Sequence, residues 1–352
     1  MNDKYGIDSH KLMYHPKRIV DWLDGEHVAP IYVEISPTSA CNHRCVFCCV
    51  DYVGYKPEFL DLNRLKKSLV SMYDYGVKSV MYGGEGEPLL HKDLADLIVY
   101  SKVCGLDVAL TTNGVLLNEK FCSKALGSLS WIKVSIDAGS SKTYDNIHRG
   151  KHGDFEKVLE NLELAVYIKN KFNLNTTIGT QLLLLPDNYI EVPMLVDILG
   201  NIGVDYLVIK PYSQHLYSNT KLYENLNYTD EELNSLVELG NNSIDVIVRV
   251  DTMEAIVEEK QYNNCRSCSF WSYIDSCGDV YACSAYLKNE NFVCGNIYNN
   301  RFNEVWDSKK TRQVLNMIEN MDIGKCRKAC RMDKINRYLH ALVNQSEHIN
   351  FI

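Results

Sequence analysis

Cys41-Asn-His-Arg-Cys45-Val-Phe-Cys48-Cys49 places four thiols within nine residues. Read as C-x3-C-x2-C, three of them stand on one tight loop just after the apolar run at 31–35. Three soft ligands on a short loop suit an iron–sulfur cluster. They leave one iron of a [4Fe–4S] cube without a protein ligand, an open corner where chemistry can occur.

Other readings of the loop fit less well. Cys41 to Cys48 are too crowded to pair comfortably as disulfides, and no secretory signal precedes them. A structural zinc takes four ligands, often as two separated C-x2-C knuckles. Cys49 offers a fourth thiol, but the side chains of two adjacent cysteines diverge. The spacing is that of the radical S-adenosylmethionine (SAM) superfamily, which this chain resembles.

The 352 residues are 46% hydrophobic, enough for a large core and an added lobe. A net charge of −8 argues against a general nucleic-acid binder. No run of 18 apolar residues exists, and residues 1–30 lack a hydrophobic signal region. A cytoplasmic chain with neither a membrane nor a nucleic-acid partner is expected. The 13 cysteines of a chain in a reducing compartment favour metal ligation over cross-linking. Four lie at 41–49 and seven between 265 and 330, while Cys104 and Cys122 fall in helical patterns as quiet thiols.

Between 31 and 250, strand-like runs alternate with amphipathic ones. Strands are expected at 31–35, 77–82, 107–111, 132–136, 176–185, 205–209 and 245–250. Helices are expected at 62–75, 93–104, 119–126, 155–171, 189–202 and 230–239. Leu62, Leu65, Leu69 and Met72 keep helical spacing. Val- and Ile-rich strands alternating with helices imply an α/β fold with a parallel sheet covered by helices. Six such units fit the partial (β/α)6 TIM-like barrel that the resemblance implies. Ligands then gather at the carboxyl ends of the strands, where the cysteine loop lies. From 251 to 352 short strands (271–274, 279–282), turns and two helical stretches (302–318, 331–343) suggest a small metal-stapled iron–sulfur domain. Residues 1–30 form an N-terminal extension in which Asp8, His10, His15 and His27 have no assignable task.

The second strand runs into Tyr82-Gly83-Gly84-Glu85-Gly86-Glu87-Pro88. Glycines there let backbone approach a ligand. By the resemblance, Gly83, Gly84 and Glu85 form the motif that holds the SAM ammonium group. Ser135, Asn113 and Asp137 stand at strand ends that family members turn toward the methionyl and ribose groups. Arg149 lies where such proteins put a partner for the SAM carboxylate, or is a solvated loop arginine. Phe47, before Cys48, matches the aromatic residue that packs on adenine. The resemblance implies that a reduced cube held by Cys41, Cys45 and Cys48 cleaves SAM to a 5′-deoxyadenosyl radical. The protein excludes water and positions the target carbon. A flavodoxin- or ferredoxin-type donor is the implied source of the electron.

The C-terminal cysteines read Cys265-Arg-Ser-Cys268, Cys277-Gly278, Cys283, Cys294-Gly295-Asn296 and Cys326-Arg-Lys-Ala-Cys330. This pattern, with Trp306 between Cys294 and Cys326, resembles the SPASM and twitch domains appended to radical SAM enzymes. The C-x2-C-x5-C-x3-C run of a full SPASM domain is absent, so a single auxiliary [4Fe–4S] cluster is expected. Its expected ligands are Cys265, Cys283, Cys326 and Cys330, with Cys268 the rival to Cys265. Cys277 and Cys294 are spare thiols or hydrogen donors to a product radical. The bland alternative is a structural zinc ribbon.

Lys210-Pro-Tyr212-Ser-Gln214-His215 follows the sixth strand. Lys210, Tyr212 and His215, with Gln214, are candidates for substrate contact or for the base that alcohol oxidation needs. A single auxiliary cluster on a compact chain resembles aminocyclitol dehydrogenases and aminoglycoside epimerases. A small polar substrate is therefore expected, a sugar, aminocyclitol or nucleotide-sugar, undergoing dehydrogenation or epimerisation. The alternative is a peptide- or protein-modifying maturase, against which stands the short stretch before the first strand. A third reading is a redox-sensing protein without catalysis.

Overall fold

Apolar strands that alternate with amphipathic helices can bury both faces only by forming a parallel sheet with helices outside it. The computed structural model describes residues 4–224, 226–240 and 243–351. Helix α1 (Pro16–Leu23) precedes β1 (Tyr32–Ile35). Then come α2 (Leu62–Tyr75), β2 (Ser79–Tyr82), α3 (Leu94–Val103) and β3 (Asp107–Thr112). They are followed by α4 (Glu119–Ala125), β4 (Trp131–Ser135), α5 (Ser141–His148), α6 (Asp154–Lys171) and β5 (Thr177–Leu184). α7 (Val192–Ile202), β6 (Tyr206–Pro211), α8 (Asp230–Val237), β7 (Asp245–Val248) and α9 (Val250–Val257) finish the alternation. The last part holds β8 (Trp271–Ile274), β9 (Asp279–Tyr281), β10 (Val293–Asn296), α10 (Phe302–Trp306), α11 (Lys309–Glu319) and α12 (Asp333–Val343).

Local chemistry sets the boundaries. Asp61 caps α2 by accepting from the Arg64 N–H at 2.8 Å, and Gly76 ends it in a left-handed turn at φ 107°. Leu65, Leu69 and Met72 on its inner face are fully buried. The stretch at 302–318, expected as one helix, is two. Ser308 leaves helical geometry between them and caps α11, accepting from the Thr311 N–H at 3.1 Å. Helix α5 is not among the expected helices; its Ser-Lys-Thr-Tyr-Asp-Asn-Ile-His sequence buries only Tyr144, Ile147 and His148.

The strands form one sheet in the order β10-β9-β8-β1-β2-β3-β4-β5-β6-β7. β1 to β7 are all parallel, and the strand expected at 245–250 joins the six βα units as a seventh, β7. The C-terminal region is not a separate sheet. β8 pairs parallel to β1, with Tyr32 opposite Trp271 and Ile35 opposite Ile274. The outer edge of β1 would otherwise face water, and all four residues of β8 are buried against it.

Alternate strand residues face opposite ways. Val33, Ile35, Val80, Leu110, Ile132, Val134, Ile178 and Leu207 pack outward under the helices. Their neighbours Glu34, Met81, Lys133, Ser135, Gln181 and Lys210 therefore face the barrel lumen. Tyr206, Val208 and Ile247 pack there with Tyr5 and Ile7 of the N-terminal segment. Asp8 accepts from Thr252 Oγ1 at 3.2 Å and pairs with Arg249 at 3.4 Å, tying this segment to α9 and the end of β7. His27 bonds the Trp306 carbonyl at 2.9 Å.

Candidate active site

The cysteine loop leaves the end of β1 and is pinned by backbone on both sides. The Glu87 N–H donates to the Ala40 carbonyl at 2.8 Å. Arg44 and Val46 N–H groups donate to the carbonyls of His148 and Ile147 at 3.0 and 2.9 Å. Asn113 Nδ2 donates to Asn42 Oδ1 at 2.7 Å. Cys41, Cys45 and Cys48 are free, half-buried thiols close enough to raise one another's pKa values. Burial, then Cys49, pushes Cys48 up to about 12; burial, then Cys48, pushes Cys45 up. Crowded thiols of this kind are stabilised as thiolates by a cationic metal centre, and the donor set fits an iron–sulfur cube with one open corner.

A buried polar layer lies beside Cys45. His148 Nδ1 is 3.4 Å from Cys45 Sγ, and its Nε2 is 3.3 Å from an Asp137 oxygen. The Tyr144 ring stacks on His148 at 4.1 Å. His43 Nε2 sits 3.1 Å from Asp154, and burial lowers its pKa to about 4, so the ring is neutral. His43, Cys45 and His148 present donor atoms within 4.8 Å of one another. Because Cys45 belongs to the cysteine loop, this group reads as packing around the cluster site.

The glycine turn divides its two glutamates. The Glu85 N–H donates to Ser36 Oγ at 3.0 Å. Its carboxylate turns toward the β8–β9 hairpin, accepting from the Ser276 N–H at 2.7 Å and pairing with Lys288 at 3.4 Å. Glu87 was not singled out from the sequence, yet it braces the end of β3. It accepts from Thr112 Oγ1 at 2.6 Å, the Asn113 N–H at 2.7 Å and the Leu89 N–H at 3.0 Å. The doubled Gly-Glu before Pro88 was the legible signal for it. A Cβ on Gly86 would collide with the Ala40 carbonyl oxygen, so only glycine fits beneath the loop. Gly83 donates to the Ile35 carbonyl at 3.0 Å, and Gly84 adopts φ 102°.

Other expected SAM contacts are spread around this end of the barrel. Ser135 faces the lumen opposite Gln181. Asp137 is held by His148 and by the Leu183 N–H. Phe47 meets His148 edge-on at 5.9 Å. Arg149 is exposed and caps α5 in the left-handed region at φ 50°. Its guanidinium lies near Tyr223, whose phenol burial and Asp187 push up and Arg149 only partly offsets.

In the C-terminal region five thiols converge. Cys265 and Cys268 sulfurs are 3.8 Å apart, and Asn336 Nδ2 lies 3.5 Å from Cys265. Contact with Cys268 lowers Cys265 to about 6, while Cys265 and Cys283 drive Cys268 upward. Burial, then Cys283 and Cys326, pushes Cys330 up to about 12. All four expected ligands meet, and Cys268 meets them too. Cys294 is buried and bonded toward Thr311 and Ala282, away from the five. Cys277 lies beside Lys288 and Asp275.

Of the four residues expected to do substrate or base work, Lys210 lies in the lumen on β6, opposite Leu183. The other three are built into the loop after β6. Tyr212 donates to Gln214 Oε1 at 2.9 Å and packs on Tyr223. His215 is buried, stacks on Tyr52 at 5.2 Å, and accepts from the Tyr217 N–H at 3.2 Å. Burial, then Arg327, lowers it to about 4.

The family model of the radical SAM superfamily matches residues 35–209, and that of the SPASM iron–sulfur cluster-binding domain matches 265–331. A barrel with the cysteine loop at its mouth and a second thiol set in the appended region defines a radical SAM enzyme. The chain belongs to that superfamily, with a C-terminal SPASM domain. Its cofactors are a [4Fe–4S] cluster with SAM, and auxiliary iron–sulfur ligation in the C-terminal region. Similar proteins include the GTP 3′,8-cyclase of Chlorobaculum tepidum, 29% identical over 189 residues. That match covers 52% of this chain and 55% of the relative, so the chain spans little more than half the cyclase's length. The AdoMet-dependent heme synthase of Methanosarcina barkeri is 25% identical over 316 residues, 85% of this chain and 88% of the relative. Among solved structures, Streptococcus suis SuiB bound to S-adenosylmethionine has a TM-score of 0.64 at 18% identity. It covers 85% of this chain and 70% of SuiB. The structure of native anSMEcpe with bound AdoMet gives 0.61 at 19%, covering 88% and 89%. At these identities the likeness shows the fold. No helix among the described residues is long and apolar enough to cross a membrane.

Proposed function

We propose that this chain is a radical SAM oxidoreductase that removes hydrogen from a small polar substrate bound in the barrel lumen, with net dehydrogenation. When bound, the two clusters supply a 5′-deoxyadenosyl radical and a one-electron sink. The observation that carries this reading is the convergence of Cys265, Cys268, Cys283, Cys326 and Cys330. Five thiols exceed the four a cube needs, and full protein ligation suits electron uptake better than substrate ligation.

The remaining roles belong to the chain's own groups. Cys41, Cys45 and Cys48 hold the SAM-side cluster on a loop pinned by Glu87, Asn113 and the end of α5. The turn at Gly83, Gly84 and Glu85, with Asn113, Ser135, Arg149 and Phe47, lines the nucleotide. Lys210 contacts the substrate from β6; burial, then Arg249, lowers its ammonium to about 8. Tyr212 and His215 shape the wall behind it. A flavodoxin- or ferredoxin-type protein supplies the electron.

The second reading is epimerisation, for which Cys277, a half-buried thiol beside Lys288 and Asp275, is the candidate to return hydrogen. Anaerobic reconstitution followed by SAM and dithionite tests the common step through 5′-deoxyadenosine release. About eight irons per chain is the count for two cubes, and about four refutes the second. With a turned-over substrate in deuterated water, deuterium in the product supports epimerisation and its absence dehydrogenation. A product found on a peptide would refute the small-substrate reading.

A further inference from the structure

We propose that Lys133, Lys210 and Arg249 form an oxyanion site in the barrel lumen, which takes a carboxylate or phosphate of the substrate. The inference rests on the reading that the substrate enters this lumen, and it names the chemical class the substrate carries.

The three cations come from β4, β6 and the residue after β7, near one another in the sheet. Lys133 lies opposite Gly179 of β5 and Lys210 opposite Leu183, four residues nearer the carboxyl end of that strand, so the two ammonium groups stand at different depths of the lumen with one strand between them. The Arg249 N–H donates to the Ile209 carbonyl at 2.9 Å, which sets Arg249 beside Lys210. Two further guanidiniums come from the segment after Cys326, one to the loop after β6 and one to the lumen residue Glu34. Arg327 donates to the Ser213 carbonyl at 2.7 Å, and Arg331 pairs with Glu34. Five basic side chains thus face two nearby carboxylates, Glu34 with Arg331 and Asp8 with Arg249. Glu85 and Asp275 already share Lys288, at 3.4 and 2.9 Å.

Lys133 and Lys210 are left without an acid. Neither makes a hydrogen bond or ion pair among the described residues, though Lys133 lies 5.6 Å over the Trp131 ring. Burial, then Lys210, Arg249 and Arg331, lowers Lys133 to about 7 against the opposing charge of Glu34, which Arg331 already pairs. Two half-buried ammonium groups without a bonded acid, crowded among guanidiniums, are unfavourable until an anion joins them. A site built this way discriminates by charge: a neutral sugar leaves the cations unpaired, and a carboxylate or phosphate pairs them. Ser135 is two residues nearer the strand end on β4, so SAM lined by Ser135 leaves Lys133 to a second molecule.

The test uses the anaerobic, reconstituted enzyme at low ionic strength, with saturating SAM. Inorganic phosphate and glutarate are titrated calorimetrically against wild type, Lys133→Met and Lys210→Met. The expected result is that one of the two probes binds, which tells phosphate from carboxylate. Each substitution then weakens it roughly ten-fold or more, as loss of a charge-assisted bond does. Removing an unpaired, half-buried cation leaves no orphaned acid, so both variants should fold, and a thermal melt checks this. Should one misfold, the other decides. Binding of neither probe overturns the proposal, as does unchanged affinity in the variants. A loss of SAM affinity in Lys133→Met also overturns it, because the cations would then serve the SAM carboxylate. 5′-Deoxyadenosine release from the same samples separates the two readings. Anion binding without it removes the radical chemistry and keeps the site; release without anion binding does the reverse.

Discussion

Replacing Glu87 with alanine should loosen the mouth of the barrel at its most tightly bonded point. The carboxylate is buried and accepts three hydrogen bonds, from Thr112 Oγ1, Asn113 N and Leu89 N, at 2.6, 2.7 and 3.0 Å. A hydrogen bond to a charged acceptor contributes about 1.5–3 kcal/mol, and bonds sharing one acceptor do not add. Burial works the other way, raising the Glu87 pKa, so part of the gain from removing a desolvated carboxylate offsets the loss. A net cost of about 2–4 kcal/mol remains, with two backbone donors unsatisfied. In a domain of this size that corresponds to a fall in Tm of roughly 4–16 °C. Asn113 holds Asn42 inside the cysteine loop, so SAM affinity should fall along with Tm. Thr112→Val removes one of the three bonds and should give a smaller fall in Tm. Melting of the anaerobic, reconstituted protein and equilibrium binding of SAM provide both readouts. If Glu87→Ala melts within a degree of wild type and binds SAM equally well, the bracing role assigned to Glu87 is wrong.

Gly86→Ala should drive a methyl into the Ala40 carbonyl and cost the SAM-side cluster, seen as about four irons lost while the auxiliary set keeps its own. Lys288→Met strips the shared cation from two buried carboxylates, Glu85 and Asp275, at a cost of about 1–3 kcal/mol given that Lys288 is partly exposed. Burial lowers the folded-state Lys288 pKa, yet Glu85 and Asp275 outweigh it and raise that pKa, so the deficit should be full at neutral pH and shrink as pH rises past 10.5, which melts across that range would show. Cys265→Ala or Cys268→Ala alone should keep the auxiliary iron, each neighbour 3.8 Å away replacing the other. Cys265→Ala with Cys268→Ala should lose it, by iron analysis and electron paramagnetic resonance.

The cysteine loop was legible because its chemistry is local: three ligands at fixed spacing need no distant partner. The Val- and Ile-rich strands were equally legible, and their observed ends lie close to the expected ones. What escaped depends on contacts made late in the chain or on weak patterns. Helix α5 is polar and eight residues long, so its apolar period is faint. The auxiliary region reads as a separate lobe, because nothing near Trp271 shows that it will lie opposite Tyr32. Lys210 was found from its place after a strand. Lys133 was not, although the alternation Trp131-Ile132-Lys133-Val134-Ser135 already put it on the lumen face. Its significance lay in Lys210, Arg249 and Arg331, which only the folded barrel brings to it.

The pairing of β8 with β1 has a consequence for how the polypeptide is made. While the ribosome is still delivering the middle of the chain, Tyr32–Ile35 presents a naked strand edge, open to mispairing with any neighbour. The seam closes only when Trp271–Ile274 emerges, so truncation ahead of that point should yield insoluble material even though every residue of the first cysteine loop is present. The thiols of Cys326 and Cys330 emerge later still, after the strand that closes the seam.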